Sequence, residues 1–138
     1  MKKNLFAMLA LVGLIAASPA FAHHSFAAEF DINKPVSLKG VVSKVEWANP
    51  HIYFYIDVKD DKGKIQTWGF ESASPGQLIR RGWKRDSLKV GDQVFAEGFA
   101  AKDGSHLVGA RQVTLADGRK IFSGATGDGG PGDNGQGL

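Results

Sequence analysis

No part of the chain restricts its fold more than residues 38–58, Leu-Lys-Gly-Val-Val-Ser-Lys-Val-Glu-Trp-Ala-Asn-Pro-His-Ile-Tyr-Phe-Tyr-Ile-Asp-Val. Val41, Val45 and Trp47 fall on one face of an extended chain, with Lys44 and Glu46 on the other. Beyond Asn49-Pro50 the alternation resumes. Ile52, Phe54, Ile56 and Val58 point one way, and His51, Tyr53, Tyr55 and Asp57 the other. β-Branched and aromatic side chains suit a pleated, half-buried surface. Two such strands meeting at a tight corner predict the opening of a small barrel.

The remaining strands can close it. The first strand is expected over residues 36–48, with Gly40 marking a bulge or bend, and the second over 52–58. Asp60-Asp61-Lys62-Gly63-Lys64 is a hairpin turn, and a third strand follows at 65–71 with Trp68 and Phe70 on one face. Ser74-Pro75-Gly76-Gln77 offers a capping serine and a proline at the first helical position. A short helix is therefore expected at 75–81, stopped by Gly82, with Leu78 and Ile79 plugging the barrel's end. Turns at 88–92 and 102–105 bracket a fourth strand at 93–100. A fifth runs over 106–115, and Asp117-Gly118 turns the chain into a short last segment at 120–122. Three strands, a helix and two strands is the order of the five-stranded oligonucleotide/oligosaccharide-binding (OB) barrel. The expected class is thus all-β, a barrel with one short helix; an open sandwich suits the helix position less well.

The two ends read differently. Lys2 and Lys3 precede an apolar run at 5–17, and Ala20-Phe21-Ala22 is a small-x-small cleavage site. Residues 1–22 are read as a signal peptide, the run being too short for a retained membrane anchor, and the periplasm is the expected destination. The 138-residue chain has no cysteine. Once exported it must hold together by its core, without a disulfide. Lys2 and Lys3 supply two of the three excess positive charges (17 basic against 14 acidic residues), so the trimmed chain is near neutral and has no general attraction for nucleic acid. Residues 23–35 have poor periodicity and are expected to lie on the barrel as an arm docked through Phe26, Phe30 and Ile32. The barrel proper is placed at 36–122. Residues 123–138 hold too little apolar surface to order themselves and are read as a disordered tail. A monomer is expected.

Five segments, His23-His24-Ser25-Phe26, Trp47-Ala48-Asn49-Pro50-His51, Arg81-Gly82-Trp83, Leu88-Lys89-Val90-Gly91-Asp92 and Asp117-Gly118-Arg119, resemble domain-of-unknown-function family 6152 across nearly all of residues 23–122. The resemblance implies a compact, mostly β, exported domain and assigns no activity.

Several residues carry possible chemistry. Cleavage after Ala22 would give His23 a free α-amine beside its own imidazole and that of His24, a nitrogen-donor chelate that favours copper. Ser25 stands where the amino-terminal copper and nickel tripeptide has histidine, so a further ligand must come from elsewhere, with His51 the candidate and His106 the alternative. His51 could equally be a corner residue whose imidazole bonds a backbone carbonyl. Trp47, Tyr53, Tyr55, Arg81 and Trp83 form a second candidate set, an aromatic and basic surface for an envelope glycan, a small ligand or a protein partner; the plainer reading is cross-strand pairing and a solvated helix end. Glu46, Glu71 and Glu97 are dispersed in sequence, and there is no serine elbow or glycine-rich phosphate loop. The expected product is a binding or accessory module and not an enzyme.

Overall fold

The molecule is described by a computed structural model over residues 25–124; the expected signal peptide, His23, His24 and the tail from residue 125 lie outside the described residues. Along the chain come helix α1 (Phe26–Glu29), strands β1 (Phe30–Trp47), β2 (Ile52–Lys59) and β3 (Ile65–Glu71), helix α2 (Pro75–Arg80), and strands β4 (Gln93–Ala101), β5 (Leu107–Leu115) and β6 (Lys120–Phe122).

The pairing closes on itself. β1 pairs antiparallel with β2 and with β4, β2 with β3, and β4 with β5. A short parallel ladder, from Gly69↔Leu107 to Glu71↔Gly109, joins β3 to β5 and completes the ring. This is the OB order of an all-β barrel, as expected. β6 pairs with β5 through Gln112↔Phe122, Val113↔Ile121 and Thr114↔Lys120.

β1 serves both neighbours by bending between them. It pairs with β4 from Pro35↔Phe99 to Val41↔Gln93, then with β2 from Val41↔Asp57 to Trp47↔Ile52. Gly40 sits at the changeover, where a Cβ would stand 2.7 Å from the Asp57 carbonyl oxygen, a backbone atom that cannot yield. The bulge itself falls three residues later. Val42 opposes Ile56 and Lys44 opposes Tyr55, which leaves Ser43 unopposed. An extra residue switches the alternation. Before it Leu38 and Val42 face the core; after it Val45 and Trp47 do. Val41, expected on the same face as Val45, is accordingly exposed, and Val42 is buried in its place.

Inside the ring, Ile52, Phe54 and Ile56 from β2 meet Phe70 from β3 and Val108 and Val113 from β5, all buried. The Phe54 and Phe70 rings stack with centroids 4.9 Å apart. Helix α2 forms because Ser74 and Gln77 make a reciprocal capping box and Pro75 opens the first turn. Its Leu78 plugs the barrel as expected. Ile79, one residue further round so short a helix, faces solvent at 58% exposure.

The expected arm is shorter than the sequence suggested. Residues 30–35 already belong to β1, which begins at Phe30, and only α1 precedes it. Phe26 and Phe30 do dock, with Phe99, Ala101 and Leu107, in a small second cluster on the outside of β4 and β5. Ile32 does not; it is 55% exposed. At the other end, Ser123 is fully buried, its amide donating to the Arg111 carbonyl and its own carbonyl accepting from Ala73. The first two residues of the expected tail therefore belong to the barrel.

Candidate functional site

The outer face of β1, β2 and β3 collects the polar aromatic residues, because period-two alternation sends them opposite to Ile52, Phe54 and Ile56. One row across the strands is Glu46–Tyr53–Glu71, and the next is Lys44–Tyr55–Gly69. The Tyr53 hydroxyl donates to Glu71 Oε2 at 2.8 Å, and the Tyr55 hydroxyl donates to Glu46 Oε2 at 3.1 Å. Lys44 pairs with Glu46 and also sits over the Tyr55 ring, 5.4 Å from its centroid. The ring lies above Gly69, where a Cβ would come within 3.3 Å of it.

These contacts set the charges. Burial first, and then the bond to Glu71, push the Tyr53 hydroxyl far above the ordinary tyrosine value. Tyr55 is raised in the same way, by burial and then by Glu46. The Lys44 ammonium and the Tyr55 hydroxyl hold Glu46 below the usual carboxylate range, and Glu46 in turn raises Lys44.

At the head of β2 stands His51, after a cis Asn49–Pro50 peptide. Its Nδ1 lies 2.9 Å from the Ser72 carbonyl oxygen and 3.4 Å from Glu71 Oε1. The structural reading of His51, a corner imidazole bonded to a backbone carbonyl, is thus realised. It is compatible with the ligand reading, since a carbonyl can only accept, so Nδ1 carries the proton and a neutral ring has its lone pair on Nε2. Among the described residues no three histidine, cysteine, aspartate or glutamate side chains converge as a metal site. His23 and His24 lie outside the described residues. His106, the alternative ligand, is exposed and stacks on Trp68 with centroids 4.3 Å apart.

The second candidate set divides in two. Tyr53 and Tyr55 share the acidic face just described. Trp47 and Trp83 meet each other edge to face at 6.5 Å, with the Arg85 guanidinium 5.4 Å over the Trp47 ring. Trp83 is only 5% exposed and belongs to the core, so it offers little surface to a ligand. Arg81 is exposed, beside it in the chain. Glu46 and Glu71, dispersed in sequence, turn out to flank Tyr53, whereas Glu97 is on β4, accepting from Gln112. The signal that could have found them is register: both lie in outward phase on strands adjacent to β2. A cleft of about 260 Å³ lies elsewhere, lined in part by Asp86, Lys89, Asp92, Asp117 and Arg119. Asp92 accepts from the Lys89 amide and Asp117 from Arg119.

The ring order, the capped plug helix and a polar aromatic face on β1–β3 define a small all-β barrel of OB order. The chain belongs to the group described as "Family of unknown function (DUF6152)", whose family model matches residues 11–110. No curated protein and no solved structure matches it.

Proposed function

We propose that this chain is an exported, non-catalytic binding module of the cell envelope that holds copper, or another divalent ion, through its processed amino end and His51. The observation that carries the reading is the hydrogen bond from His51 Nδ1 to the Ser72 carbonyl, which leaves Nε2 as a lone-pair donor on a ring already held in place. After cleavage, His23 and His24 add an amine and two imidazoles.

The test is a copper titration of the protein trimmed after Ala22. The double variant His23→Ala, His24→Ala should lose most of the affinity, and His51→Ala a large part. One extra residue ahead of His23 should also weaken binding by displacing the amine. Wild-type affinity in the double variant ends the reading.

A second reading has one observation in its favour. The Tyr53 and Tyr55 rings are locked on an outward face rich in carboxylate acceptors, which suits the hydroxyl groups of an envelope glycan. Replacing Tyr55 by alanine should then weaken glycan binding while leaving copper affinity unchanged.

A further inference from the structure

We propose that Glu71 and Tyr53 are the positioning pair for His51, fixing its ring with the proton on Nδ1 and the lone pair on Nε2. The purpose of this arrangement rests on the metal reading above, but the arrangement itself does not. Two oxygens converge on Nδ1, the Ser72 carbonyl at 2.9 Å and Glu71 Oε1 at 3.4 Å. A carbonyl cannot donate and neither can an ionised carboxylate, so the opposite tautomer would set a nitrogen lone pair against both.

Each acceptor is itself held. The Ser72 amide donates to the Ile52 carbonyl at 2.8 Å, and the Ile52 amide donates to the Ala73 carbonyl at 3.1 Å, so the carbonyl facing His51 is pinned between β2 and the end of β3. The Glu71 side chain is only 12% exposed, and its Oε2 takes the Tyr53 hydroxyl at 2.8 Å, which turns Oε1 toward the imidazole. Tyr53 is Glu71's register partner across β2–β3 and lies two residues beyond His51, in the same outward phase. The order is thus Tyr53 to Glu71 to His51, with Nε2 as the one ring atom left for a ligand. Partners of this kind around a metal-binding histidine typically change affinity by about 10–100-fold when removed.

The experiment has two arms. In metal-free protein held well above the ordinary imidazole pKa, the ring ¹⁵N shifts of His51 report the tautomer. Wild type should show a protonated Nδ1 and an unprotonated Nε2, and Glu71→Leu a mixture. Tyr53→Phe, which removes only the hydroxyl, should shift the tautomer balance in the same direction by less, and it serves where the Glu71 variant does not fold. An Nε2-protonated wild type, or a tautomer unmoved by either substitution, overturns the proposal. In the second arm, Glu71→Gln should weaken copper binding about 10-fold in the trimmed protein and have no further effect in a His51→Ala background. An equal loss in that background means Glu71 acts on the metal by another route, which also overturns it. Should wild type bind no copper while the tautomer behaves as stated, the metal reading falls and the positioning pair stands.

Discussion

Replacing Gly109 by alanine should separate the docking of the amino-terminal segment from the stability of the barrel. A Cβ at Gly109 would stand 2.6 Å from Phe26 Cε2 and 2.8 Å from Phe30 Cγ, closer than packed carbons approach. Overpacking of this kind costs about 1–3 kcal/mol. The obstruction consists of two rings and not backbone, so the strain has an outlet. Docking the two phenylalanines is worth at most about 1.5–3 kcal/mol each. Strain of that size offsets a large part of the docking energy, so α1 opens far more readily while the ring of strands remains. Gly98 is the control, because its Cβ would meet the Gly109 carbonyl oxygen at 2.2 Å, and relief requires breaking the β4–β5 ladder. Thermal denaturation should show a loss of about 4–8 °C per kcal/mol for a domain of this size, larger for Gly98→Ala. Hydrogen exchange should show lost protection at Ala28, whose amide donates to Ser25, and at Lys102, whose amide donates to Glu29, with β2 and β5 still protected in Gly109→Ala. Unchanged protection at Ala28 and Lys102, or barrel loss equal to that of Gly98→Ala, refutes the reasoning.

Two other outcomes follow from the same packing. Both tyrosines have their folded-state pKa raised, so the folded protein keeps protons that the unfolded chain releases near pH 10. That contribution to stability is complete below the ordinary tyrosine value and falls as pH rises past it; phenolate absorbance of the folded protein should therefore appear only above pH 10, and free titration of both residues near pH 10 in a folded protein contradicts this. Deleting Ser43 removes the switch in phase between Val42 and Val45, and forces either Val42 or the Val45–Trp47 pair outward. The expected cost is about 2–6 kcal/mol, read from denaturant unfolding, and a deletion variant with wild-type stability would mean that the bulge does not set the register.

Most of the barrel was legible because strict alternation at Ile52, Phe54 and Ile56 admits one inward face, and because the Ser74-Pro75 cap fixes where the helix starts. The bulge was not. Val41 and Val42 are both valines, so composition cannot say which faces inward, and the answer depends on pairing with β2. The start of β1 was hidden for a related reason. Residues 31–34 read Asp-Ile-Asn-Lys and lack any apolar period, yet they are strand because they join Phe30, docked against Ala101, to the ladder resuming at Pro35↔Phe99. Tertiary pairing overrides weak local preference there.

The candidate site divides along the same line. His51 was identifiable as a residue type at a turn, and Tyr53 and Tyr55 by their phase. What holds the His51 ring is the pair of oxygens on Nδ1, contributed by residues 71 and 72, and no local spacing connects those positions to 51. Register does connect them. Once β2 and β3 are paired with Phe54 opposite Phe70, Tyr53 must stand opposite Glu71, and the chain just beyond the end of β3 must run beside His51. The core stacking of Phe54 on Phe70 therefore also aligns the outer polar row, since a slip of one residue would send Glu71 inward and leave Tyr53 without its acceptor.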